Sequence, residues 1–248
     1  MAKAILNDVT NLQFINFNTS DPKNYLEHCK NSYILWKSEW EKTFQELKTN
    51  KTLYSDDFLH REIGGLFLGT KPIGFILYQF EDITKKTTTD LHYFSNYESR
   101  LIRQHQQKND LVMIATYFTT DPDWRKKNTN YSVSELLISF MNLRLIFSDA
   151  NRMIGYFRNN RKTNEIFYRH GGEFIAHQNA YNVSVDFAEI YKDRAQLSEW
   201  KDHAALASKM WSQFFLKQKG EKYEFTRSLK PQIDERIGIQ FSESRLVQ

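Results

Sequence analysis

Cysteine is nearly absent from this 248-residue sequence, and Cys29 is its sole example. An internal disulfide and every zinc pattern built from several cysteines are therefore excluded. The seven histidines, His28, His60, His92, His105, His170, His177 and His203, form no H-x-x-x-H or H-E-x-x-H pair, so no metal is expected. No P-loop, nucleophile elbow or dinucleotide glycine pattern occurs. No run reaches the roughly 18 apolar residues of a membrane span. The first residues, Met-Ala-Lys-Ala-Ile-Leu-Asn-Asp, lack the apolar segment of a signal peptide, and a cytoplasmic setting is expected. Internal repeats and low-complexity linkers are missing as well. The net charge of +4 is too mild to announce a nucleic-acid partner by composition.

The sequence has 40% hydrophobic and 15% aromatic residues, enough for a substantial core. Leu12 to Phe17 reads as a first strand. A long helix is expected from about Pro22 to Leu47, with Asp21 as its cap and a core-facing stripe of Tyr33, Trp36, Trp40, Phe44 and Leu47. Glu62 to Phe80 reads as a hairpin turning at Gly69-Thr70-Lys71-Pro72. Asp82 to Asn109 is polar, with an exposed loop at Lys85 to Thr89 and a helix at Tyr97 to Gln107. Near the other end, Phe174 to Ala176 and Val183 to Phe187 read as strands around His177-Gln178-Asn179. A helix from Leu197 to Lys217, capped by Gly220, carries Trp200, Ala204, Ala207, Trp211, Phe214 and Phe215 toward the core or a partner. Residues 1–194 are expected to form one domain and 195–248 a helical extension and tail.

The stretch from Asp110 to Phe174 holds nearly all the functional signal. Leu111 to Thr120 is uncharged, rich in β-branched and aromatic residues, and closed by Asp121-Pro122-Asp123, as a buried central strand would be. After Trp124 comes a basic turn, Arg125-Lys126-Lys127-Asn128-Thr129-Asn130. Ser132 and Glu135 then match a capping box. Val133, Leu136, Leu137, Phe140, Met141 and Arg144 follow at helical spacing. A strand feeding a basic turn into a helix N-terminus is an anion site by physics, since free N–H groups and the helix dipole face the turn. A solvated basic loop is the plainer reading. Met153 to Phe157 forms a further strand. It leads through an Asn-rich turn to a short helix with Ile166, Phe167 and His170 on one face and Gly171 or Gly172 as its stop. A second basic cluster, Arg158, Arg161, Lys162 and Arg169, lies beside the same turn.

This order of elements, with Tyr168 four residues before Gly172 and Phe174 two beyond, resembles the GNAT superfamily of acyl-CoA-dependent N-acyltransferases. The resemblance implies an α+β fold: a mixed, mostly antiparallel sheet of about six or seven strands flanked by helices, here with an added C-terminal helix. It implies acyl transfer from acetyl-CoA or another acyl-CoA to a small-molecule or protein amine by direct attack. Arg125 matches the first position of the family's pyrophosphate turn, and Lys126, Lys127, Asn128, Thr129 and Asn130 would complete it. Asn128 and Asn130 stand where the family has small residues, a departure that also admits an acyl-carrier protein as donor. Backbone amides at Phe118, Thr119 and Thr120 would hold the carbonyl and pantetheine. Asn160 and Tyr168 match the second signature, with Tyr168 as the general acid for the departing thiolate, or else a packing residue. The family's strand carboxylate is missing, which leaves Asp121, Asp123 and His177 as the nearest bases. Trp36 or Trp40 would border the amine. Ser55-Asp56-Asp57-Phe58 is similar to long-chain N-acyl amino acid and acyl-homoserine lactone synthases of the same fold. A non-catalytic binding module is the alternative, and a homodimer is left open.

Overall fold

The structure is a computed structural model and describes residues 11–90, 93, 94, 103, 111–125 and 131–218. Its frame is one seven-stranded sheet. The strands are β1 (Leu12–Asn18), β2 (Glu62–Leu68), β3 (Lys71–Asp82), β4 (Leu111–Thr120), β5 (Arg152–Arg158), β6 (Glu173–Ala180) and β7 (Val183–Tyr191). They lie in the order β1-β2-β3-β4-β5-β7-β6, antiparallel at every junction except β4 with β5. A parallel pair needs a crossover. The helix Val133–Ile146 supplies it, between a long helix α1 (Leu26–Glu46) with a short α2 (Lys86–Thr89) before it, and α4 (Thr163–Arg169) and α5 (Lys201–Gln218) after it.

That crossover helix, α3, differs from the single apolar stripe its sequence predicts. It is buried nearly all round, Glu135, Ser139 and Asn142 included. One side lies on the sheet, and α5 covers the other. Phe14 of β1 stacks on Phe140 at 4.3 Å and meets Trp211 at 5.0 Å, so α5 sits on the core rather than apart from it. Ser132 caps α3 as expected, its Oγ accepting from the Glu135 amide at 3.4 Å. The reciprocal half of the capping box is not formed. The Glu135 carboxylate turns inward, and the Ser132 amide donates to His203 Nε2 at 2.9 Å.

Further corrections have local causes. The first long helix begins at Leu26 after a 3-10 turn at Lys23–Tyr25, because Lys23 adopts φ +42 and breaks the run; Asp21 caps nothing. Lys86–Thr89 is a helical turn with Thr88 buried, not an exposed loop. His177-Gln178-Asn179 lies inside β6, and the hairpin turns instead at Tyr181 and Asn182, both at positive φ. Tertiary contacts hold this tip. Tyr181 packs on Phe44 at 5.4 Å, and Asn182 Nδ2 donates to the carbonyls of Leu47 and Lys48 at the end of α1. The helix predicted at Tyr97 to Gln107 and the Gly220 cap lie outside the described residues. No helix among the described residues is long and apolar enough to cross a membrane.

Gly171 ends α4 as predicted, at φ +95. A Cβ there would also overlap the carbonyl oxygen of Arg194. Gly171→Ala is expected to cost at least about 2 kcal/mol, measured by urea denaturation, since backbone strain and a collision with main chain add.

Candidate active site

The parallel pairing of β4 with β5 runs only from Val112↔Arg152 to Ala115↔Gly155. Both strands continue, to Thr120 and Arg158, but they part beyond that point. On its other edge β4 is bulged: Phe75 faces Thr119 and Leu77 faces Thr116, so Tyr117 and Phe118 together oppose Ile76. Tyr117 sits at φ +51, a left-handed conformation unusual for an aromatic residue inside a strand. A bulge leaves its extra residue outside the ladder. Register shifts also occur between β2 and β3 and between β6 and β7, but this one falls beside the point where β4 and β5 part.

The side chains around the bulge hold it. Trp40 Nε1 donates to Thr119 Oγ1 at 3.1 Å, and Thr119 Oγ1 donates to the Tyr117 carbonyl at 2.8 Å. The Tyr117 ring stands edge-on to Trp36 and Trp40, at 5.4 and 5.0 Å. Burial, followed by the nearby Asp57 carboxylate, pushes the Tyr117 phenol up and keeps it neutral.

Between the parted strands lies a cleft of about 340 Å³. Ala115 to Thr120 line one wall and Tyr156, Phe157 and Arg158 the other. Glu39, Trp40 and Thr43 of α1 border it, as do Ser132, Val133 and Ser134 at the start of α3. The first amides of a helix have no intrahelical acceptor, so the N-terminus of α3 presents donors and the positive end of its dipole to the cleft.

Three arginines line the cleft in different states. Arg125 is paired with Glu39 at 2.9 Å, and Arg161 with Glu46 at 2.9 Å. Arg158 makes no ion pair among the described residues, and its Nε donates to Asn160 Oδ1 at 3.2 Å. Burial first, and the neighbouring Arg161 second, lower the Arg158 pKa, a penalty that a bound anion would relieve. The second basic cluster is thus divided. Arg158 and Arg161 face the cleft, Lys162 pairs with Glu165, and Arg169 turns to Glu135 and Glu199.

Of the residues expected from sequence, Phe118, Thr119, Thr120 and Arg125 line the cleft. Lys126, Lys127, Asn128, Thr129 and Asn130 lie outside the described residues. Asn160 is exposed in the turn after β5, where it orients Arg158 and is not part of the lining. Tyr168 is not a lining residue either. Its hydroxyl donates to Asp186 Oδ2 at 2.6 Å, and burial followed by that carboxylate pushes the phenol above its ordinary range. Asp121 is buried against Lys71 at 3.0 Å and caps the turn after β4. Trp40, not the fully buried Trp36, reaches the cleft. Glu39, Thr43, Tyr156 and Thr163 went unsignalled, because they meet the cleft only through the packing of α1 and the divergence of β5.

No family model and no curated protein sequence matches the chain. Among solved structures it is similar to a CoA-dependent acyl-homoserine lactone synthase, BjaI, seen with MTA and with SAM and isopentyl-CoA. Identity is 9%, coverage is 81% of this chain and 90% of that one, and the TM-score is 0.52. The chain has the GNAT fold. A further similar structure is FeeM, an N-acyl amino acid synthase from uncultured soil microbes, at 10% identity over 79% of this chain and 98% of that one, TM-score 0.46. An acyl-CoA N-acyltransferase from Pseudomonas aeruginosa aligns at 8% identity, 72% and 99% coverage and TM-score 0.48.

Proposed function

We propose that the chain is an N-acyltransferase that takes an acyl group from acetyl-CoA or a longer acyl-CoA and delivers it to an amine, in the cytoplasm. The observation that carries this reading is the bulge at Tyr117 beside the point where β4 and β5 part, with the α3 N-terminus and Arg158 on the same cleft. Each has a task in thioester chemistry. The pantetheine arm is extended and rich in amides, so it can pair with strand edges left open by the splay. The pyrophosphate is an anion suited to the α3 amides and Arg158. Amides at the bulge would serve the thioester oxygen as it gains charge during attack.

The attacking amine enters from the α1 side, beside Trp40. Its proton needs an acceptor, and the cleft carboxylate Glu39 is already held by Arg125 and by Lys42 at 2.9 Å. Removal of that proton through water follows. In this reading Tyr168 is not the acid, since it does not line the cleft and its hydroxyl is held by the Asp186 carboxylate.

Thiol release from acyl-CoA on addition of a panel of amines tests the proposal. Thr119→Val removes the acceptor for Trp40 and the donor to Tyr117 while keeping shape. Turnover is expected to fall at least about tenfold, with acyl-CoA affinity within about twofold, because the loss falls on the developing oxyanion. Absence of thiol release with every amine would contradict the proposal.

A further inference from the structure

The β6–β7 hairpin carries three residues that the proposed transfer does not use. His177 and Asp186 are direct cross-strand partners, and Ser184 precedes Asp186 by two positions, so all three side chains share one face. His177 Nδ1 lies 2.9 Å from Asp186 Oδ1, and His177 Nε2 lies 2.6 Å from Ser184 Oγ. A carboxylate only accepts, so Nδ1 carries the proton facing Asp186. Nε2 of the neutral ring is then bare, and the Ser184 hydroxyl donates to it.

The acid is anchored more firmly than a surface cross-strand pair requires. Asp186 is buried and accepts from four side chains: His177, Asn159 at 3.0 Å, Asn164 at 2.9 Å and Tyr168 at 2.6 Å. Burial acts to raise its pKa, but these donors overcome it and hold the carboxyl down at about 2. The base and nucleophile, in contrast, face water: the His177 side chain is 59% exposed. Asn159 Nδ2 also donates to Ser184 Oγ at 3.1 Å, which fixes the hydroxyl that faces His177.

We infer that Ser184, His177 and Asp186 form a nucleophilic triad that hydrolyses acyl esters or thioesters at the surface of the hairpin, through an acyl-serine intermediate. Ser184 Oγ bonds to the acyl carbon as its proton passes to His177 Nε2. The carbon–oxygen or carbon–sulfur bond of the substrate breaks, and the departing alkoxide or thiolate takes that proton. Water then attacks the acyl-serine, gives a proton to His177 and releases the carboxylic acid, and Ser184 recovers its hydroxyl. No oxidant or reductant enters. Each role follows from the geometry: nucleophile against base, base against a fixed acid.

The full chain treated with a fluorophosphonate probe, followed by peptide mapping, tests this. One label per chain on Ser184 is expected, with labelling about a hundredfold slower in His177→Gln, the scale of a lost general base. Ser184→Ala should abolish both the label and the hydrolysis of 4-nitrophenyl acetate while leaving acyl-CoA affinity unchanged. No label on Ser184 of the wild-type chain, or a rate unaffected by His177→Gln, would overturn the inference. The wild-type result stands even if a variant folds poorly.

Discussion

Glu135→Leu is expected to destabilise the fold by about 3–5 kcal/mol, the scale of breaking a buried ion pair by removing one partner. Glu135 is 1% exposed, at the first turn of α3. It accepts from Arg169 at 2.5 Å, His170 Nε2 at 2.7 Å and Ser198 Oγ at 3.1 Å, and so ties the crossover helix to α4 and to the segment leading into α5. Burial works to raise its pKa, yet hydrogen bonds from His170 and Arg169 prevail and hold it at about 2, against 4.5 without them. The folded value is the depressed one. The stabilisation is therefore complete above about pH 4.5 and is lost as the pH falls toward 2. Urea denaturation from pH 7 to pH 3 should show wild-type stability declining below pH 4.5. Glu135→Leu should lack this component of the decline, starting from lower stability at neutral pH.

Arg158→Glu should weaken acyl-CoA binding by at least tenfold, and by roughly a hundredfold if both the charge and a direct hydrogen bond are lost. Arg125 and Arg161 spend part of their charge on Glu39 and Glu46, while Arg158 faces the same cleft with no ion pair among the described residues. Its partial burial reduces solvent screening, so its contribution should survive moderate salt better than that of Arg161. Isothermal titration at 50 and 300 mM salt separates the two. Arg161→Ala is expected to matter mainly at low salt. The fold should tolerate Arg158→Glu, since among the described residues the side chain bonds only to Asn160 in the adjoining turn.

The parts of the site that sequence made legible are local ones. Leu111 to Thr120 declares a strand with these bounds because an uncharged β-branched run ends against Asp-Pro, and Ser132 declares the start of α3 by its own capping bond. Gly171 marks the end of α4 because few other residues accept its backbone. What stayed hidden depends on partners far away in the chain. Nothing in Ala-Thr-Tyr-Phe-Thr says that Tyr117 bulges; that follows from one fewer residue in β3 opposite it and from Trp40, distant in sequence, bonding to Thr119. Glu135 looked like half of a capping box because His170, Arg169 and Ser198 converge on it only after folding. His177 read as a turn residue because the register of β6 on β7, which sets it against Asp186 and Ser184, is fixed by a hairpin tip seated on α1. Tyr168 is legible as a matched position, but not the carboxylate that accepts its hydrogen bond.

The cleft between the parted ends of β4 and β5 is expected to hold an acyl thioester. Native mass spectrometry of the full chain, alone and with acetyl-CoA or palmitoyl-CoA, tests it most directly. A one-to-one adduct with at least one thioester, diminished in Arg158→Glu, is the predicted result. A wild-type chain that stays ligand-free with both, at concentrations well above those usual for acyl-CoA enzymes, would contradict it.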